Sequence, residues 1–184
     1  MRAFIAFEIP GFVKTYLSRT IVAMSSKTDN VKWVRDEGLH ITIKFLGEID
    51  EALGGKIRDE LLYLGTRYKP FTMSLDRIDA FPDRKRARVI VVRLKNEVDI
   101  ISNIFKDIED NLKKFGFESE KRAFTPHITL GRRKAPLPLL EKAIIKLDEM
   151  DFTIDSVVMF KSTLTAKGAI YDPIWKIILG GIDQ

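Results

Sequence analysis

The two histidines of this chain stand in one repeated four-residue frame, His40-Ile41-Thr42-Ile43 and His127-Ile128-Thr129-Leu130. That frame dictates local structure. In a strand, successive side chains point to opposite faces, so His and Thr at i and i+2 share one face and the apolar residues share the other. Each segment therefore reads as a half-buried strand offering an imidazole and a hydroxyl on one side. The fold has to supply two such strands and cover the apolar face of both. With 11 threonines in 184 residues and 45% hydrophobic residues, the frame follows a given His with a chance probability of about 0.01, and follows both with one on the order of 10⁻⁴. Strand preference for Thr, Ile and Leu raises that figure without making it ordinary.

The rest of the chain alternates strands and helices. Arg2–Phe7, Val31–Val34, Leu39–Leu46, Phe71–Ile78, Arg88–Leu94, Phe124–Leu130, Phe152–Thr163 and Ile170–Leu179 read as strands. Gly11–Met24 has helical spacing through Phe12, Tyr16, Leu17 and Ile21. Ala52–Leu64 reads as a helix through Leu53, Ile57, Leu61 and Leu64, Val98–Phe115 as one ended by Gly116, and Leu139–Leu147 as a shorter one. Asp83–Arg86 is a charged turn. Short connections favour hairpins, hence a mixed α+β fold with largely antiparallel sheets over a doubly wound parallel one. Each half of the chain holds one long helix and one His-Thr strand, which two similar lobes facing each other would explain.

Composition narrows the chemistry. A chain of 184 residues has the length for one domain, 1–184, with a real core. Cysteine is absent, which removes disulfides, thiol nucleophiles and cysteine-based metal sites and suits a reducing, cytoplasmic setting. No apolar run approaches the roughly 20 residues of a membrane span. The charge-rich, amide-poor composition, with Gln184 as the one glutamine, suits a thermophile. The net charge of +5 favours polyanionic partners without naming one. No zinc-protease or phosphate-loop motif is present.

Two imidazoles and two hydroxyls round one small space suit a tetrahedral phosphate. The hydroxyls hold non-bridging oxygens, one neutral His accepts a proton from a nucleophile, and one protonated His gives a proton to the leaving oxygen. An imidazole, with an unperturbed pKa of about 6.5, supplies both forms near neutrality, so the scheme requires no metal or cofactor. A single strand His is more often a structural hydrogen-bonding group than a catalytic one. Duplication of the frame around the only two histidines reverses those odds.

In these frames the chain resembles the 2H phosphoesterase superfamily. Its flanking segments, Arg2–Phe7, Trp33-Val34, Leu39–Glu48, Thr125–Arg132, and Ser162-Thr163-Leu164 with Gly168 and Tyr171, resemble those of the RNA 2′,3′-cyclic phosphodiesterases, also called 2′-5′ RNA ligases. The resemblance implies a bilobal fold of two pseudo-symmetric lobes, with antiparallel sheets lining a central cleft and helices outside. It implies metal-free hydrolysis of RNA 2′,3′-cyclic phosphate ends to 2′-phosphate, with reversible 2′-5′ ligation as a further activity. Carried over, His40 is the acid, His127 the base, and Thr42 and Thr129 the phosphate ligands, with Arg132 neutralising phosphate charge.

Three residues remain open between two readings. Arg132 lies five residues after His127, which strand parity puts on the wrong face unless Gly131 permits a bulge. Phe45, at the same offset from His40, either stacks on a terminal base or packs in the core, and packing is favoured. Tyr171 belongs to the cleft edge or to the core. Arg84-Lys85-Arg86 with Arg88, and Arg132-Arg133-Lys134, form either an RNA track or solvated turns. Two other functions stay in play: a phosphodiesterase acting on small cyclic nucleotides, and a module that binds RNA ends without turnover. Nothing in the sequence argues for more than a monomer.

Overall fold

A computed structural model describes residues 1–96, 98–165 and 168–181. Two antiparallel sheets build the molecule. The first has the order β3-β1-β8-β9, from His40–Glu48, Arg2–Glu8, Ser156–Thr165 and Gly168–Ile178. The second has the order β2-β6-β5-β4-β7, from Lys32–Trp33, His127–Leu137, Ala87–Asn96, Phe71–Phe81 and Asp151–Ile154. Among the described residues four α-helices accompany them: α1 (Gly11–Ser25), α2 (Glu51–Leu61), the single turn α3 (Leu64–Arg67) and α4 (Val98–Leu112). This is the α+β arrangement of facing antiparallel sheets that the strand pattern implies. The sheets are not the two halves of the sequence, however. The first takes two strands from the start of the chain and two from its end.

Burial follows the periodicities. Helix α1 buries Val13, Leu17, Ile21 and Met24, and α4 buries Ile101, Ile104, Ile108 and Leu112, each set on one stripe. Helix α2 starts at Asp50, whose carboxylate accepts from Leu53 N at 2.6 Å, a cap worth about 1 kcal/mol. Helix α4 runs into a 3-10 turn at Lys113–Phe115 and stops where Gly116 takes φ 84°. One apolar cluster joins Ile5, Phe7 and Ile41 of the first sheet to Ile78, Ile90 and Ile128 of the second and to all three long helices.

Two elements differ from expectation. Leu139–Leu147 contains only a 3-10 turn at Glu141–Ala143. Leu139, Ala143 and Leu147 are buried at helical spacing, but nine residues are too few to nucleate a helix without strong tertiary support. Leu139 N instead donates to the Arg84 carbonyl at 2.7 Å, and Ile144 is already extended. Phe152–Thr163 is two strands, split at Asp155, with β7 on the second sheet and β8 on the first.

Candidate active site: two His-Thr strands at one cleft

Strands β3 and β6 lie against each other where the two sheets meet. In β3, Ile41 and Ile43 are buried below, and in β6 Ile128 and Leu130 are. His40, Thr42, His127 and Thr129 are all only partly buried. Both frames thus show the alternation that period two requires.

The ladders then show why position five after each His matters. In β6, Thr129 pairs with Val91 and Gly131 with Ile90, so Leu130 is an extra residue. That bulge shifts the alternation by one and returns Arg132 to the face of His127 and Thr129. In β3, Thr42 pairs with Ala6 and Lys44 with Ile5, so Ile43 is the extra residue, and Phe45 returns to the face of His40 and Thr42. The two strands are built alike: His, Thr, a bulge, then a side chain returned to the His-Thr face. Gly131 also allows β2 to approach, because a Cβ there would lie 2.5 Å from Val31 Cγ1 and 2.9 Å from Trp33 Cε3.

Thr42, Phe45, Phe81, His127, Thr129 and Arg132 line a common cavity of about 330 Å³, closed on one side by the loop from Glu120 to Thr125. Phe45 is 61% exposed, which overturns its reading as a core residue. His40 sits behind Thr42, its Nε2 3.0 Å from the hydroxyl. Its ring is boxed by Phe4 at 4.7 Å, Tyr171 edge-on at 5.2 Å and Phe160 at 6.2 Å. Tyr171 is therefore a wall of the His40 pocket, and Gly38 lets it close in, since a Cβ there would be 3.3 Å from the tyrosine ring.

Each imidazole engages the backbone two residues earlier. His127 Nδ1 is 2.8 Å from the Thr125 carbonyl, and His40 bonds to the backbone of Gly38. A carbonyl only accepts, so Nδ1 of His127 carries the proton and Nε2 is left with its lone pair. Burial is the main cause that lowers the His40 pKa to about 4, opposed by the Gly38 bond and aided by Lys14, Arg132 and His127. His127 is lowered by burial too, opposed by the Thr125 bond and aided by Arg93 and Arg132. Burial and the neighbouring cations thus favour the neutral form of both rings.

That has a sign and a window. His40 titrates near 4 in the fold and near 6.5 when unfolded, so between those values the unfolded chain binds the extra proton and stability falls as pH falls. Above about pH 6.5 the effect vanishes. Urea unfolding is expected to show the wild type losing roughly 2 kcal/mol more than His40→Gln between about pH 7.5 and pH 5. Equal losses in the two proteins would contradict the depressed His40 titration.

The basic clusters separate. Arg84 donates to the Ile78 carbonyl at 2.7 Å and pairs with Asp79 and Glu141, and Arg86 pairs with Asp83. The Arg84 side chain is thereby committed to the fold, whereas Arg86 is 73% exposed and makes only a local surface pair. Arg133 is buried and donates to the carbonyls of Leu137 and Pro138. Arg132 is the member of its cluster that lines the cavity, joined there by Arg122. Sequence reading missed Arg122, because nothing in an irregular loop shows which way it faces. Among the described residues no group of three His, Cys, Asp or Glu side chains is placed to hold a metal, and no helix is long and apolar enough to cross a membrane.

The geometry has relatives. The chain is 36% identical over 179 residues to the RNA 2′,3′-cyclic phosphodiesterase of Methanocaldococcus jannaschii, covering 95% of this chain and 98% of that one. It is 29% identical over 178 residues to the protein of the same name from Thermotoga maritima, covering 96% and 94%. A solved structure from Thermus thermophilus superposes with a TM-score of 0.80 at 26% identity, covering 98% of this chain and 99% of that one. The family described as LigT-like phosphoesterase matches twice, over residues 17–91 and again over 92–171, one match around each His-Thr strand. Two matches spanning most of the sequence, each containing one wall of the cleft, show that the chain belongs to the LigT-like phosphoesterases of the 2H phosphoesterase superfamily.

Proposed function

We propose that this protein opens the 2′,3′-cyclic phosphate at an RNA 3′ end to a 2′-phosphate and a 3′-hydroxyl, with no metal ion. The observation that carries the reading is the shared cavity of Thr42, His127, Thr129 and Arg132, with His40 bonded to Thr42 at its back. His127 Nε2 takes a proton from water as the water oxygen bonds to phosphorus. The bond from phosphorus to the 3′ oxygen breaks, and His40 protonates that oxygen. Thr42 and Thr129 donate to the non-bridging oxygens, and Arg132 neutralises the charge that builds on them. A 5′-hydroxyl in place of water gives 2′-5′ ligation by the same atoms. Names of relatives support the substrate: several are RNA 2′,3′-cyclic phosphodiesterases.

The direct test is purified protein in EDTA with an oligonucleotide ending in a 2′,3′-cyclic phosphate. A 2′-phosphate product is expected, whereas a 3′-phosphate or no turnover sinks the reading. Because burial favours neutral His40, its acid role calls for a proton taken up from solvent as the phosphate anion binds, whose charge favours the imidazolium. Calorimetry of a nucleoside 2′-sulfate, whose anion does not titrate near neutrality, in buffers of different ionisation enthalpy at pH 7 is expected to show proton uptake. Binding that releases protons, or exchanges none, removes His40 as the acid.

Phe45 serves the terminal base. It stands on the cleft face beside Thr42 and is exposed, and stacking one base contributes about 1–3 kcal/mol. Phe45→Ala is expected to raise KM for an oligonucleotide roughly tenfold and leave Tm almost unchanged. A KM within twofold of wild type would take Phe45 out of the site. A cavity near the size of one nucleotide directs recognition to the RNA end, so comparing a cyclic mononucleotide with an oligonucleotide decides between the small-substrate and RNA readings.

A further inference from the structure

The face of the second sheet that carries His127 also carries a row of side chains with no task in the scheme above. Arg93 on β5 pairs with His127 on β6, while Val91 pairs with Thr129 and, on its other side, with Asp79. Asp79, Phe81, Arg93, His127 and Thr129 therefore rise from a single face. Arg93 Nε donates to Asp79 Oδ2 at 3.1 Å, and its guanidinium carbon lies 4.3 Å from the centre of the Phe81 ring. Phe81 then meets the His127 imidazole edge-on, with centroids 5.0 Å apart and planes at 70°. Asp79 is fixed in turn by Ala80 N at 2.9 Å and Arg84 Nε at 3.3 Å.

The chain of contacts ends at the imidazole for a physical reason. The bond from Nδ1 to the Thr125 carbonyl fixes one atom of the ring but not its tilt, and the edge contact from Phe81 supplies the missing constraint. Phe81 lines the cavity beside His127, whereas Arg93 is not part of the lining. The guanidinium is shielded, with Arg93 21% and Asp79 20% exposed, so its attraction to the aromatic face is little weakened by water. Arg84, read from sequence as part of an RNA track or a solvated turn, is the outer anchor of this row.

We propose that Arg93 is a positioning residue for His127: held by Asp79, it clamps Phe81 against the imidazole and so sets the direction in which Nε2 faces the phosphate. The proposal rests on His127 being the base of the proposed reaction. The charged and titratable groups facing His127 are Arg93 from β5, Arg132 from its own strand and His40 from β3, with Lys44 of β3, held by Glu109, and Glu120 and Arg122 of the loop lining the same cavity. Arg93 and Arg132 both disfavour a second proton on His127.

With two histidines in the chain, two imidazole Cε1–H signals report their titrations by NMR, and His40→Gln assigns them. Arg93→Met is expected to move the His127 midpoint upward, leave His40 within error, and lower kcat roughly tenfold with KM changed less than twofold. Arg93→Lys keeps the charge and loses the flat stacked fork, so its midpoint stays near wild type while kcat still falls. An unchanged His127 midpoint in Arg93→Met, with kcat tracking only the folded fraction, reduces Arg93 to a packing role. A raised KM with a weaker salt dependence makes it a phosphate ligand instead. Should wild type show no turnover, the proposed reaction fails, but the two titrations still decide whether Arg93 acts on His127.

Discussion

Replacing His127 by alanine is expected to lower kcat on a cyclic-phosphate RNA end by roughly 10³-fold, and His40→Ala by a similar factor. On the proposed scheme each removes one of two proton transfers, and water in the vacated space is a far poorer acid or base at neutral pH. The losses should not multiply. Acid and base act on one displacement, so once either is gone the other has little left to accelerate, and the double variant is expected within about tenfold of the worse single one. Stability separates the two sites. His40 is enclosed by Phe4, Phe160 and Tyr171, so its truncation leaves a gap in an aromatic box and lowers Tm. His127 stands at the cavity wall with Phe81 as its ring neighbour and should unfold close to wild type. Steady-state kinetics of the three variants, with thermal melts alongside, checks both statements. Either single variant turning over at the wild-type rate removes the acid–base pair.

The His-Thr strands could be read from four residues each because period two is a local property: a polar face and an apolar face follow from the alternation alone. The helix of Leu139–Leu147 failed for the opposite reason. Its apolar spacing is real, and Leu139, Ala143 and Leu147 are buried, but burial at that spacing is also reached by a chain pinned through Leu139 to Arg84. The joining of β1 and β3 to β8 and β9 left no mark in sequence, since strand partners are chosen by packing over long separations. Phe45 reads as core in sequence because a strand phenylalanine that faces the core and one that faces a cleft look alike until exposure is known. Arg93 was hidden inside a run of Val and Ile, and only its register opposite His127 gives it meaning.

Arg132→Met is expected to lower kcat/KM by roughly 10²-fold, the usual cost of losing one oriented donor to a developing oxyanion. The bulge is what puts the donor in place. Without the extra residue at Leu130, the alternation from His127 would send Arg132 to the apolar side of β6, where burial of a guanidinium is costly. With it, Arg132 lines the cavity and lies near enough to both imidazoles to disfavour their protonation. The same cation thus opposes the proton on His40 and, on the proposed scheme, turns its field on the phosphate anion. Arg132→Met should therefore raise the pKa of both free histidines while weakening phosphate binding, two effects of opposite usefulness from one charge. Arg132→Lys retains the charge but not the paired N–H geometry, so it should keep the histidine titrations and recover only part of the rate. Equal rates for the lysine variant and wild type would mean that charge alone matters at this position. Unchanged rates in Arg132→Met would mean that the bulge aims Arg132 at solvent and that the phosphate is held by Thr42 and Thr129 without it.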